Sequence, residues 1–129
     1  MDTVLETKRQ TIGQVLVCVG CCCGRTDRGK PPVPVDWLKQ EWKARKLLKT
    51  IQLTISGCLG PCDLVNVVCL VTPSGTRWLG GLNEQRHFEA LLAWATDSTA
   101  AARLLPLPAL LSQQEFERFA PLVAQASGD

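Results

Sequence analysis

Two cysteines stand four positions apart in the segment Ser56-Gly57-Cys58-Leu59-Gly60-Pro61-Cys62-Asp63. Glycine and proline at this density predict a tight turn, because glycine tolerates backbone angles that other residues avoid and proline favours turn positions. Residues 50–55 alternate polar and apolar side chains as a half-buried strand does, and residues 65–72 predict a second strand. We therefore expect these cysteines on a loop held between two strands.

A second cysteine group follows the first predicted strand of the chain. Residues 12–19 include a continuously apolar segment, which is typical of a strand covered on both faces. This strand leads directly into the sequence Cys18-Val19-Gly20-Cys21-Cys22-Cys23-Gly24. Six of the seven cysteines thus fall into two tight groups, and in a reducing compartment such grouping favours metal ligation over a disulfide framework.

Four thiolates from the two groups can converge on one metal centre. Cys18 and Cys23 enclose four residues, whereas Cys58 and Cys62 enclose three. A segment of thirty-four residues, predicted to contain a helix and a strand, separates the two pairs. Four cysteine ligands suit a [2Fe–2S] cluster, and they equally suit structural zinc, so the spacing alone leaves both open.

The three consecutive cysteines leave the second ligand open. Cys22 is the alternative to Cys23, and Cys21 is a weaker one. Two residues separate Cys18 from Cys21, which is the spacing of a zinc knuckle. A dithiol oxidoreductase has the same spacing in its active site, which follows the first strand. Such an oxidoreductase needs its first thiol at a helix N-terminus to lower the thiol pKa, and Gly24 with the prolines beyond it predicts irregular chain instead. That scheme also leaves the second cysteine group without a role.

A basic, proline-rich loop follows the first cysteine group. Residues 25–36 contain Gly29 and three prolines, which exclude a continuous helix. The loop carries three cations, Arg25, Arg28 and Lys30. It is predicted either to be simply solvated or to form a docking edge for an anionic partner surface.

The middle of the chain predicts a helix and then a hairpin. Asp36 is expected to cap a helix over residues 37–48. After the strand at residues 65–72, the turn sequence at residues 73–75 predicts a reversal of the chain. Residues 76–79 would then return as the second strand of an antiparallel hairpin.

Two further helices are predicted toward the C-terminus. Asn83 is expected to cap the first of them. Its apolar face is formed by Phe88, Leu91, Leu92 and Ala95. His87 is expected on its surface rather than as a metal ligand. Ser112 and Glu115 fit a capping box, which predicts a short last helix over residues 113–119.

Length and composition indicate a single globular domain. The chain has 129 residues, of which 46% are hydrophobic and 20% charged, and these values fit one packed core rather than disorder. We divide it into a polar lead-in (residues 1–11), an α/β domain (residues 12–97) and a proline-containing connector with the short last helix (residues 98–129). The net charge of +2 is too small to predict binding to nucleic acid or to an anionic membrane.

The sequence carries no pattern of a membrane helix or a secretion signal. No apolar run approaches the roughly 20 residues that a membrane helix needs. Residues 1–6 are acidic and lack the basic segment followed by an apolar one that a signal peptide has. We therefore expect a cytoplasmic location.

The order of the predicted elements and the cysteine spacing resemble the thioredoxin-like [2Fe–2S] ferredoxins. This family includes the cluster-carrying subunit beside the flavin in respiratory complex I, whose pattern is C-x4-C, a spacer of similar length, and C-x3-C. Four cysteines match that pattern position by position: Cys18, Cys23, Cys58 and Cys62. The resemblance covers residues 12–97, and the second cysteine loop is its more specific half.

The resemblance implies a thioredoxin-like α/β fold, with a mixed central sheet of about four strands flanked by helices and a short C-terminal helical extension. It also implies a one-electron carrier that is not itself an enzyme, holds a [2Fe–2S] cluster on those four thiolates and exchanges electrons with a redox partner protein. Small proteins of this type are often linked with cobalamin biosynthesis, which is a hint about the pathway. A homodimer is left open, and a thiol–disulfide oxidoreductase and a structural zinc protein are the alternatives.

Overall fold

A computed structural model describes residues 4–20, 22–61 and 63–120 of the chain. Within these residues the strands are β1 (Gly13–Cys18), β2 (Ile51–Ser56), β3 (Val68–Thr72), β4 (Gly75–Leu79) and β5 (Glu115–Phe116). They form one sheet in the order β2-β1-β3-β4-β5. β1 and β2 run parallel, and the other neighbours in the sheet are antiparallel. The sheet is therefore mixed, as the sequence predicts.

Two helices pack against one face of this sheet. The helical elements are α1 (Val35–Ala44), α2 (Gln85–Ala101) and a single turn, α3 (Ala109–Ser112). The core joins inward-facing strand residues such as Val15 and Leu70 to Trp42 of α1 and Phe88 of α2. Because side chains alternate along a strand, residues next to these, such as Leu16, belong to the opposite face. The result is an α/β fold of the thioredoxin-like type, which confirms the predicted fold class.

The first helix begins and ends earlier than predicted. α1 starts at Val35 with Pro34 at its N-cap, so Asp36 lies in the first turn instead of capping the helix. An acidic side chain in that turn still interacts favourably with the partial positive charge at a helix N-terminus. The helix ends at Ala44, and soon afterwards Lys46 adopts a left-handed backbone conformation (φ 57°) that a right-handed helix cannot contain.

The second helix begins with a capping box that the sequence analysis missed. Glu84, rather than Asn83, is the N-cap, and its side chain accepts a hydrogen bond from the backbone N–H of His87. In return His87 Nδ1 accepts a hydrogen bond from the N–H of Glu84, at 3.2 Å. The His87 side chain is therefore buried, and its predicted surface position is wrong. The predicted apolar face of α2 is buried as expected. Neither α2 nor any other described helix combines the length and apolar character needed to cross a membrane.

The C-terminal segment adds a strand to the sheet instead of ending in a helix. The helix predicted over residues 113–119 is wrong, and β5 pairs there with β4, with Phe116 opposite Trp78. The Arg77–Glu115 ion pair (2.7 Å) and the Trp78–Phe116 ring contact (6.3 Å between centroids) stabilise this pairing. Since β5 supplies backbone partners to the edge of β4, the sheet has five described strands rather than about four.

Candidate metal centre

Cys18 and Cys23 lie side by side where β1 ends. Both are buried, and their side chains are close enough to interact. The loop between them is closed by two backbone hydrogen bonds, from Gly20 N–H to the Cys23 carbonyl (3.0 Å) and from Cys23 N–H to the Gly20 carbonyl (2.9 Å). Cys22 lies inside this closed loop and is half-buried. The fold thus brings together the two cysteines that the sequence analysis selects from the first group.

The second cysteine loop reaches the same place. The backbone N–H of Leu59 donates a hydrogen bond to the Cys18 sulfur, and Cys58 is close enough to interact electrostatically with it. The Leu59 side chain packs against a small apolar cluster formed by Cys18, Cys23 and Val67. Cys58 itself is exposed. Two loops that are distant in sequence therefore meet at Cys18, at the C-terminal end of the inner strand β1, with the exposed Cys58 nearby.

The surroundings of Cys18 favour the neutral form of its thiol when no metal is bound. Burial, the hydrogen bond to Cys23 and the neighbouring thiols raise the pKa of Cys18 to about 12, although the Leu59 N–H opposes the rise. The attacking thiol of a dithiol oxidoreductase needs a lowered pKa, so this environment is the opposite of what that chemistry requires. A metal would instead displace the proton, since thiolate ligands bind in the deprotonated form.

The described residues contain only part of the predicted ligand set. Cys62, and also Cys21, lie outside them. Among residues 4–20, 22–61 and 63–120, no three His, Cys, Asp or Glu side chains are already arranged to hold a metal ion. The remaining predicted ligands Cys18, Cys23 and Cys58 do share one region, through the contacts just described.

The chemistry around the thiols fits a thiolate-bound metal group. Two buried nitrogen donors, Trp78 Nε1 and Arg118 Nε, have no hydrogen-bond partner in the described part of the chain. Trp78 packs against the cluster that contains Cys18 and Cys23. Thiolate and sulfide are hydrogen-bond acceptors, and donors beside them stabilise their negative charge. The donor set at this site is therefore suited to a group that carries anionic sulfur.

Asn66 fastens the first cysteine loop to the rest of the protein. Its Oδ1 accepts a hydrogen bond from Gly24 N–H (2.8 Å), and its Nδ2 donates to the carbonyls of Pro31 and Leu82 (3.2 Å each). Asn66 is 1% exposed and has a left-handed backbone (φ 63°), which asparagine tolerates better than most residues. The sequence analysis missed this role. The available signal was a polar residue with a left-handed tendency inside the apolar run 65–72.

The basic loop beside the centre has part of its charge neutralised. Arg25 forms a two-pronged ion pair with Asp27 (2.7 and 2.8 Å), and these hydrogen bonds lower the pKa of Asp27 to about 2. Arg28 is exposed and Lys30 is half-buried. The three cations of the predicted docking edge are therefore not equivalent. Arg25 is paired with Asp27, whereas none of the described ion pairs includes Arg28 or Lys30, although the Arg28 charge also helps to lower the pKa of Asp27.

Cys69 belongs to the sheet rather than to the candidate centre. It lies in β3 between Leu16 of β1 and Trp78 of β4, and its side chain is buried. Burial raises its pKa, and no other thiol contributes to that shift. A buried free cysteine of this kind behaves as a small hydrophobic residue.

We accordingly expect Cys69→Val and Cys69→Ala to leave metal binding at the candidate centre unchanged. Each variant changes a small buried side chain, so the loss in unfolding free energy should be at most about 2 kcal/mol. Thermal unfolding gives the stability, and metal analysis gives the occupancy. Loss of metal from a variant that is still folded would mean that Cys69 is a ligand.

Neither a scan against protein-family models nor a search of the curated proteins finds a match to this chain. The two cysteine loops converge, Cys18 and Cys23 are buried, and Trp78 with its unpaired Nε1 packs against the cluster that contains them.

Proposed function

We propose that this protein is a one-electron carrier of the thioredoxin-like ferredoxin type. The ligands of its [2Fe–2S] cluster would be Cys18, Cys23, Cys58 and Cys62. The observation that carries the proposal is the meeting of the two cysteine loops, since Leu59 of the second loop packs against the cluster that contains Cys18 and Cys23. A metal group held there would draw ligands from both loops.

The surroundings of the cysteines suit an electron carrier. A bound [2Fe–2S] cluster supplies a one-electron couple whose potential depends on hydrogen bonds to sulfur and on exposure to solvent. Here the first loop buries its two thiols, whereas Cys58 is exposed, so the centre would have one protected side and one side open to a partner. We propose that the chain itself performs no catalysis and works in the cytoplasm with a redox partner protein.

Metal analysis and spectroscopy of anaerobically purified protein test this proposal. We expect about two irons per chain, a red-brown colour, and an EPR signal that appears on reduction and disappears on reoxidation. Stoichiometric zinc without iron would overturn the proposal in favour of a structural metal site. Iron that cannot be reduced reversibly would also overturn it. Metal-free protein that reduces disulfides would favour the oxidoreductase.

Docking of an acidic redox partner should depend on the basic loop. We expect electron transfer from a partner reductase to slow as salt is added, because screening weakens attraction between exposed charges. Arg28→Gln with Lys30→Gln should lower the association rate on the order of tenfold at low salt. Stopped-flow kinetics measures that rate, and the absorption spectrum should stay unchanged.

The matched control for this double variant lies on α1. Lys39→Gln with Lys43→Gln removes the same charge from exposed positions on that helix. An equal loss of rate in both double variants would show that only net charge matters. The basic loop would then not be the docking edge.

A further inference from the structure

The C-terminal segment brings an arginine against the second cysteine loop. Arg118 follows β5, whose pairing with β4 fixes the path of the chain. A Cβ atom placed on Gly60 would lie only 2.6 Å from Arg118 Nη2, so the guanidinium occupies the space that a side chain at Gly60 would need. Gly60 also has a φ of 120°, a conformation that residues with a side chain rarely adopt. Glycine at this position therefore allows the arginine to approach the loop backbone.

Aromatic rings hold the guanidinium in this position. Arg118 Cζ is 5.6 Å from the centroid of the Trp78 ring and 5.4 Å from that of Phe119, distances typical of cation–π contacts. Trp78 and Phe116 also pack against the cluster of Cys18, Cys23 and Val67. Trp78 therefore contacts both Arg118 and the cluster that contains Cys18 and Cys23.

The nitrogen donors of these two side chains are buried without an acceptor. Within the described residues, three buried side-chain polar atoms lack a hydrogen-bond partner, and two of them are Trp78 Nε1 and Arg118 Nε. The third, Thr99 Oγ1, belongs to α2. Folded proteins rarely leave buried N–H groups unpaired, because the lost hydration is then not compensated. Trp78 lies against the cluster that contains Cys18 and Cys23, and Arg118 lies against Gly60 of the second cysteine loop, so these two donors indicate a missing acceptor near the thiols.

We propose that Trp78 Nε1–H and the Arg118 guanidinium donate hydrogen bonds to the sulfur of the metal group held by the cysteines, and that Arg118 thereby raises its reduction potential. The inference rests on the proposed function, because that function defines which metal group the cysteines hold. Four thiolates with an oxidised [2Fe–2S] core, or with zinc, carry a net charge of about −2, so either group supplies acceptors. A cation beside it favours the addition of one more electron.

Potentiometric titration of reconstituted full-length protein tests the proposal. Removal of the charge in Arg118→Gln should lower the reduction potential by about 59 mV, which is a tenfold change in the equilibrium constant of a one-electron couple. Arg118→Lys keeps the charge and should recover most of the shift. Trp78→Phe keeps an aromatic ring but loses the N–H, and should shift the potential less, in the same direction.

A charge-matched control separates this local effect from net charge. Arg103→Gln removes the same charge from an exposed position after α2 and should leave the potential unchanged. Variants with lowered thermal stability but the parental potential would show that the two residues act only as packing, which would overturn the inference. Equal shifts in Arg118→Gln and Arg103→Gln would overturn it as well.

The inference stays testable if the protein holds zinc instead of iron. In that case the electron-carrier proposal fails, but the zinc–thiolate group is still anionic and still needs donors. Chelator competition should then show zinc affinity falling on the order of tenfold in Arg118→Gln and not in Arg103→Gln. Unchanged zinc affinity in Arg118→Gln would overturn the inference independently of the proposed function.

Discussion

We expect Cys18→Ser to abolish binding of the proposed iron–sulfur cluster. Cys18 lies where the two cysteine loops meet, and both of its sequence neighbours are valines, so no adjacent thiol can replace it. Substitution of residues that merely support a metal ligand costs roughly 10- to 100-fold in metal affinity, and loss of a ligand should exceed that. Iron analysis and the absorption spectrum of the variant, reconstituted in parallel with the parent protein, measure the loss.

The variants of the triple-cysteine segment should differ from one another. Cys23→Ser should alter the absorption and EPR spectra or prevent assembly, since Cys23 is buried beside Cys18. Cys22→Ser and Cys21→Ser should leave the spectra unchanged. Equal tolerance of all three changes would indicate that neighbouring thiols exchange as ligands, and a spectral change found only in Cys22→Ser would make Cys22 the ligand.

Asn66→Ala should destabilise the protein by about 3 kcal/mol. The change removes four buried or half-buried hydrogen bonds, which join Asn66 to Gly24 N–H and to the carbonyls of Pro31, Pro32 and Leu82. It also places alanine in a left-handed conformation at φ 63°, which asparagine tolerates better. Thermal unfolding of the metal-free protein should show a melting temperature lower by roughly 10 °C.

Two companion variants separate the contributions at this position. Asn66→Gly loses the same hydrogen bonds without the backbone strain, so it should be milder than Asn66→Ala. Asn83→Ala changes an exposed asparagine and should alter stability by less than about 0.5 kcal/mol. If Asn66→Gly lost as much unfolding free energy as Asn66→Ala, the destabilisation would come from the lost hydrogen bonds alone.

Asn66 also links stability to the cysteines. Because its side chain holds Gly24, the residue directly after Cys23, its loss should loosen the first cysteine loop. We therefore expect Asn66→Ala to incorporate less iron than the parent even at a temperature where the variant is folded. Normal iron content in the folded variant would mean that the loop keeps its shape without this anchor.

The sequence by itself determined the α/β class and the two cysteine groups. Strand and helix periodicity are local properties, so β1 to β4, α1 and the apolar face of α2 could be predicted from short windows. The spacing of cysteines on loops beside strands is local too. It could therefore indicate a thiolate site, although not which metal occupies it.

Only the tertiary structure decided which groups surround that site. β5 forms because β4 offers an unpaired edge, and no window around residues 113–119 contains that edge. Three side chains act through partners that are far away in sequence. Asn66 binds Gly24, Trp78 packs against the cluster that contains Cys18 and Cys23, and Arg118 lies against Gly60. Hydrogen bonding and burial depend on which atoms meet after the chain has folded, and a one-dimensional pattern does not contain that information.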